Sequence, residues 1–417
     1  MLSDWLECPW EDLDFKQFSG TDVVLAACPA ACSLRDLLAR ASAVGARLHV
    51  IEDVATRPLQ LEDLFERPLR DLDWARIGAA ITGRRVLITG GGGSIGAQLA
   101  RQVAALKPKR LTLLDSSELN LFNIGLELPN ATLALADVRD RAAIARWFAN
   151  QQPDIVFHTA ALKQVPLVEM FPSEGVLTNI GGLRNVAEAA HAAGADLVFV
   201  STDKAVAPSG LMGATKRLGE LYCIALDQRG ARRAIPLRLG NVLGSAGSVA
   251  PVFSAQIAAG KPLTVTDPEV TRYFMSIPQA AKALLQACGA GLEQPHRGIV
   301  FTVDMGNPLA IVQLAQDMIR LAGKEPDRDV PIVFTGLRPG EKLHEQLLGE
   351  DEWREACDVA GVVAAASPTR SLEDITRAMD RLVALAREGA DEAIADELFR
   401  AIAPVVPTGD ARERAVA

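Results

Sequence analysis

The sequence predicts an α/β fold: a doubly wound parallel sheet with a smaller C-terminal substrate-binding lobe and a small N-terminal α/β element. Three observations carry that prediction. Short apolar runs recur at VLIT (86–89), LTLLD (111–115), LALAD (133–137), IVFHT (155–159) and LVFVST (197–202). Between them the spacing is helical, with Ile95, Leu99, Val103 and Leu106 on one face. A glycine cluster, TGGGGSIG over 89–96, stands where the first run gives way to the first helix. Strands apolar throughout are buried on both faces, and parallel neighbours need right-handed helical crossovers to join them.

In chain order, residues 1–82 are expected to form the small N-terminal element and a linker. VVLAA (23–27), a helical stretch from Ser33 to Val44 and RLHVI (47–51) read as a β-α-β fragment, followed by a polar connector punctuated by Pro58 and Pro68. Residues 83–239 form the dinucleotide-binding sheet, to which 276–304 return. Residues 240–350 supply most of the substrate lobe, because ligands of open parallel sheets bind beyond the carboxyl ends of the strands. Residues 351–417 are read as a helical tail, in which Ser371 opens a capping box and Ile375, Met379, Leu382 and Leu385 form an apolar stripe suited to packing or subunit contact.

Composition narrows the function. The 417 residues are 49% hydrophobic and 23% charged, a globular balance rather than a disordered one. A net charge of −9 weighs against general nucleic-acid binding, while local arginines can still hold an anionic small molecule. No run reaches the roughly 18 apolar residues of a membrane span, and the first residues lack the order of a secretory signal. The six cysteines are sparse, and the Cys28/Cys32 pair has no partner set, so neither a disulfide framework nor a metal site is expected. The expected compartment is the cytoplasm.

The motifs that bear chemistry follow the strands. Gly90, Gly93 and Gly96 permit a tight turn, and with Ser94 and Ile95 they open the helix whose N-terminal amides suit a pyrophosphate. Asp115, 19 residues past Gly96, is placed for the adenosine ribose hydroxyls and would repel a 2′-phosphate, which favours NAD over NADP. Asp137 and Val138 are placed to border the adenine. Ala160 and Ala161 offer small residues where a dinucleotide passes, and Lys163 either reaches ligand oxygens or is a surface lysine. The fifth strand ends in Ser201-Thr202-Asp203-Lys204, a hydroxyl, an acid and a base at the functional edge of the sheet. Elimination requires such a pair, one group to remove a proton and another to protonate the leaving hydroxyl. Met212 and Lys216 share a helix face at i, i+4.

Taken in order, TGGGGSIG, HTAALKQVPLVE, STDKAV, MGATKR, LGNVLGS, VTRYFMSIP and GLRPGEKLHEQLL resemble the nucleotide-diphosphate-sugar 4,6-dehydratases of the extended short-chain dehydrogenase/reductase superfamily. Within it the sequence is most similar to the bacterial polysaccharide-biosynthesis group acting on UDP-N-acetylglucosamine, over roughly residues 60–350. The superfamily's usual Tyr-x-x-x-Lys pair is Met212…Lys216 here, and neither Tyr222 nor Tyr273 has a lysine four residues on. Met at this point is a familiar variant of the membrane-linked members, which leaves open the base for the oxidation step.

The resemblance implies transient C4 oxidation by NAD, C5 deprotonation by Lys204, protonation of the departing C6 hydroxyl by Asp203, and hydride return to C6. Thr202 would bond the C4 oxygen, and Lys216 the nicotinamide ribose. Asn241, Arg272, Arg338 and Glu341 would bind the UDP-sugar, although each could also sit in a surface ion pair. The resemblance further implies a homo-oligomer. Two other readings remain open at this point: a 4-epimerase, which has no use for an acid/base pair beside C5 and C6, and an inactive NAD-binding scaffold, which the missing tyrosine would suit.

Overall fold

In the computed structural model, residues 15–25, 34–52, 55–58, 61, 72–230, 232–368 and 370–404 are described. The predicted apolar runs become the strands β1 (Arg85–Thr89), β2 (Arg110–Asp115), β3 (Thr132–Leu135), β4 (Ile155–His158) and β5 (Asp196–Thr202). Four more follow: β6 (Ala234–Leu239), β7 (Ile299–Val303), β8 (Trp353–Glu355) and β9 (Val362–Ala366). They form one nine-stranded sheet in the order β8-β9-β7-β6-β5-β4-β1-β2-β3. The strands from β1 to β7 are parallel, and β9 and β8 complete the edge in antiparallel register.

Because side chains alternate across a strand, β1 feeds two cores. Val86 and Ile88 join one with Leu99 and Val103 of helix α1 (Ser94–Ala105), while Leu87 joins the other with Val156 and Phe199. Each such side chain, fully buried, contributes about 1.5–3 kcal/mol. The order reverses between β1 and β4, so a crevice opens at their carboxyl ends, where α1 begins.

The chain divides into two compact units. The larger holds 68–246, 273–307 and 337–417, and the smaller holds 1–67, 247–272 and 308–336. In the smaller unit, strands Asp22–Leu25 and Arg47–Glu52 are parallel, with helix Leu34–Ala43 between them, as the β-α-β reading expects. Ala26, Ala27, Ser33, Cys8, the Cys28/Cys32 pair and Pro68 lie outside the described residues.

Three expectations need correction. Pro58 does not lie in a connector; it ends a strand, Ala55–Pro58, at the edge of that small sheet, where proline is tolerated. The segment beyond 351 is not wholly helical, since β8 and β9 extend the main sheet. In the run VVAAA (362–366) the three alanines have weak intrinsic strand preference, and pairing with β7 carries them into the sheet. Helix Trp74–Ile81, expected with the N-terminal element, packs Ile77, Ala80 and Ile81 into the core of the larger unit. Among the described residues no helix is long and apolar enough to cross a membrane.

Candidate active site

The glycine turn after β1 is shaped by backbone contact. Gly90 adopts φ 67°, and a Cβ there would lie 2.8 Å from the Ala160 amide nitrogen. At Gly96 a Cβ would meet the Gly90 carbonyl oxygen at 2.0 Å, so no side chain fits. Gly93 caps α1 without a side-chain bond, which leaves the first amides of the helix open to an anion. Asp115 ends β2 with both oxygens in place: Oδ2 accepts the Gly92 N–H and Oδ1 the Ser117 N–H, each at 2.9 Å. It therefore holds the turn at the crevice, and its remaining lone pairs suit ribose hydroxyls. The arrangement fits a dinucleotide.

The surrounding residues fall as follows. Ser94 Oγ accepts the Ala246 amide, and Ile95 is half-buried at the start of α1. Asp137 is held by Arg139 at 2.7 Å, while Val138 packs against Gly182. Ala160 and Ala161 follow β4, where Ala160 closes on Gly90. Lys163 is exposed but tethered: its Nζ donates to Ser245 Oγ at 3.0 Å, and desolvation lowers its pKa. Below them His158 is buried with Nδ1 2.7 Å from Thr89 Oγ1, and burial drags its pKa down to about 3, so the imidazole is neutral.

One strand further along, Thr202 ends β5 and caps the short turn Asp203–Ala205. Its Oγ1 donates to Asp203 Oδ1 at 2.9 Å, and Lys204 Nζ donates to the same oxygen at 3.0 Å. Lys204 Nζ also donates to Asn241 Oδ1 at 2.9 Å, which brings that expected residue into the cluster. Asp203 is 0% exposed, and its Oδ2 has no hydrogen-bond partner. A buried carboxylate oxygen without a donor is costly unless something else occupies or protonates it.

Helix α2 (Leu211–Arg229) presents Met212 and Lys216 one turn apart, both buried. Lys216 Nζ donates to the Val200 carbonyl at 3.0 Å and lies 4.8 Å above the Phe199 ring; burial lowers its pKa to about 8. Met212 offers no proton-transfer group.

Several residues that motif reading passed over hold this cluster. Glu169 Oε1 accepts the Leu211 amide at 2.6 Å, anchoring the start of the helix Leu211–Arg229. Asn179, in the π-helical segment Val176–Gly182, bonds both the amide and the carbonyl of Leu162 and donates to Thr215. Glu345 stands 3.5 Å from Lys204 Nζ. All three lie inside quoted motifs or near them, but only folding shows their partners. Beneath the site, Ser201 donates to Glu220, and Arg238 bridges Glu220 and Glu352 in a fully buried network.

Arg338 and Glu341 were expected at the substrate. They grip each other, with Nε 3.0 Å from Oε1, across the turn of RPGEK. Arg272 belongs to the smaller unit, where its Nη1 donates to the Thr271 carbonyl.

A mostly parallel sheet of this order, with a glycine turn, a carboxylate at the end of β2 and a Thr-Asp-Lys cluster at the end of β5, is that of an extended short-chain dehydrogenase/reductase. The chain belongs to the polysaccharide biosynthesis protein family, which matches it over residues 86–367. It is 43% identical over 305 residues to the capsular polysaccharide biosynthesis protein CapD of Staphylococcus aureus, covering 71% of this chain and 50% of that protein. The chain thus spans about half the length of that relative. It is 35% identical over 289 residues to a UDP-glucose 4-epimerase of Rickettsia akari, covering 67% of this chain and 81% of the other. Among solved structures, Pen from Bacillus thuringiensis is similar with a TM-score of 0.61 and 30% identity, over 70% of this chain and 90% of that one.

Proposed function

We propose that the protein is a nucleotide-sugar 4,6-dehydratase that converts UDP-N-acetylglucosamine to a UDP-4-keto-6-deoxy-N-acetylhexosamine. The observation that supports it best is the joined pair at the end of β5, a fully buried Asp203 in contact with Lys204. Loss of water across C5 and C6 needs one group to take the C5 proton and a neighbour to protonate the C6 hydroxyl. Lys204 and Asp203 supply these, and Thr202 holds the C4 oxygen. Lys216 binds the nicotinamide ribose, and Asn241 orients Lys204. The cofactor is NAD, which when bound takes up the C4 hydride and restores it at C6. Gly90, Gly93, Gly96 and Asp115 would hold it, with Asp115 excluding a 2′-phosphate.

A second reading, a UDP-sugar 4-epimerase, draws on the relative bearing that name. An epimerase moves hydride and proton at C4 alone and leaves the Asp203–Lys204 pair without work. Incubation with UDP-N-acetylglucosamine deuterated at C4 separates the two. The dehydratase yields a product lighter by one water, with deuterium at C6 of the same molecule and no net NADH. Formation of UDP-N-acetylgalactosamine instead would establish the epimerase, and no turnover with NAD bound would leave the scaffold.

A further inference from the structure

In the dehydratase reading, on which this inference rests, Lys204 must take a proton from C5, which only the neutral amine can do. Its surroundings are oxygen acceptors. Nζ donates to Asp203 Oδ1 at 3.0 Å and Asn241 Oδ1 at 2.9 Å, and forms an ion pair with Glu345 Oε1 at 3.5 Å. Two of the ammonium's protons are donated to Asp203 and Asn241, Glu345 is its ion-pair partner, and one proton must leave before the nitrogen can act as a base. The Asn241 amide oxygen is too weakly basic to take it. Asp203 is committed to the C6 hydroxyl. Glu345 is the acceptor that remains.

The fold puts Glu345 there deliberately. Its side chain is 2% exposed, on the turn that follows RPGEK. Ser209 Oγ donates to the Gly340 carbonyl at 3.1 Å and Lys342 Nζ to the Val206 carbonyl at 2.7 Å, which ties that turn to the one after Lys204. The small cleft between the turns is lined by Lys204, Ser209, Met212, Gly340, Lys342 and Glu345. Among the described residues, charged groups beside the pair include Asp203, Lys342 and Glu169, the last engaged with the Leu211 amide beside Gly210 and Gly340.

We propose that Glu345 is the proton partner of Lys204. One Nζ–H bond of the ammonium breaks, and an O–H bond forms on Glu345, leaving an amine. The amine takes the C5 proton as the C5–H bond breaks. After hydride returns to C6, the ammonium gives a proton back to C5, and Glu345 returns its proton to nitrogen. Nothing is oxidised or reduced in these transfers. The 3.5 Å separation closes by about 0.7 Å to reach charge-assisted bonding distance. Glu345 acts through Lys204 rather than on the sugar and is a positioning residue for the base.

The test compares the full-length chain with Glu345→Gln and Glu345→Asp, using UDP-N-acetylglucosamine. Glu345→Gln should lower kcat and C5 proton exchange with solvent by at least ~100-fold near neutral pH, while leaving KM and NAD affinity within ~3-fold. Its rate should climb as pH is raised, since solvent must now remove the Lys204 proton, whereas the wild type stays flat near neutrality. Glu345→Asp, which keeps the carboxylate, should recover much of the rate and the flat profile. Wild-type kcat for Glu345→Gln across the pH range overturns the proposal. So does loss of NAD binding or of the thermal transition in step with activity, which would make Glu345 a structural residue only. Failure of the wild type to dehydrate the sugar would refute the dehydratase reading itself, a different outcome from either.

Discussion

Replacing Asp203 with Asn is the most informative single perturbation. The side chain is fully buried, and the substitution keeps its volume, so no cavity forms. The Asn oxygen still accepts from Thr202 Oγ1 and Lys204 Nζ, whose bonds to Oδ1 measure 2.9 and 3.0 Å. The new NH2 falls where Oδ2 has no partner, an unsatisfied donor costing about 1–3 kcal/mol of stability. The lost function is larger. Removing a positioned acid lowers rate by about 10²–10⁴-fold, or roughly 3–5 kcal/mol of barrier. Lys204→Ala should cause a loss of similar size but different in kind, because it blocks C5 exchange. Asp203→Asn permits some exchange, since its defect falls on departure of the hydroxyl. Mass spectrometry of product and of solvent-derived deuterium at C5 reads both effects, and calorimetry should show NAD affinity nearly unchanged. Wild-type dehydration rates in both variants would refute the assigned roles while leaving fold and cofactor untouched.

Four further outcomes are expected. NAD should bind much more tightly than NADP, and Asp115→Ala should cost about 1–3 kcal/mol of NAD affinity; equal calorimetric affinities for the two cofactors would contradict the role of Asp115. Gly96→Ala forces a methyl to 2.0 Å from the Gly90 oxygen and should weaken NAD at least ~10-fold, whereas at Gly93 the nearest atom is 3.3 Å away and φ is −71°, so Gly93→Ala should stay within ~3-fold. Burial alone would raise the Glu352 pKa, but Arg238 and Arg217 outweigh it and hold the carboxylate at about 2. Being depressed in the folded state, it contributes about 3 kcal/mol above the unfolded value near 4.5, which is lost as pH falls toward 2; Glu352→Gln should flatten that part of the acid-unfolding curve. Lys216 carries a pKa lowered to about 8 by burial, so NAD affinity that depends on its charge should fall as pH rises past that value, and Lys216→Met should abolish the dependence.

The sequence by itself determined the first five strands of the sheet and the glycine turn beside them. The apolar runs that became β1 to β5, the glycines at 90, 93 and 96, and Asp115 are local signals, since strand period, turn sterics and the 19-residue spacing need no distant partner. Thr202, Asp203 and Lys204 were legible for the same reason, being consecutive at a strand end. Tertiary structure decided what depends on chain segments far apart in sequence. Glu345 reaches Lys204 across 141 positions, and Glu169 anchors α2 across 42. The run at 362–366 is a strand only because β7 offers it an edge, and Arg338 turned out to grip Glu341 rather than stand open. Burial had the same character: Lys204 and Lys216 look alike in a sequence, but only packing lowers one pKa to about 8 and surrounds the other with acceptors. Desolvation and charge pairing act through space, and a linear pattern records neither.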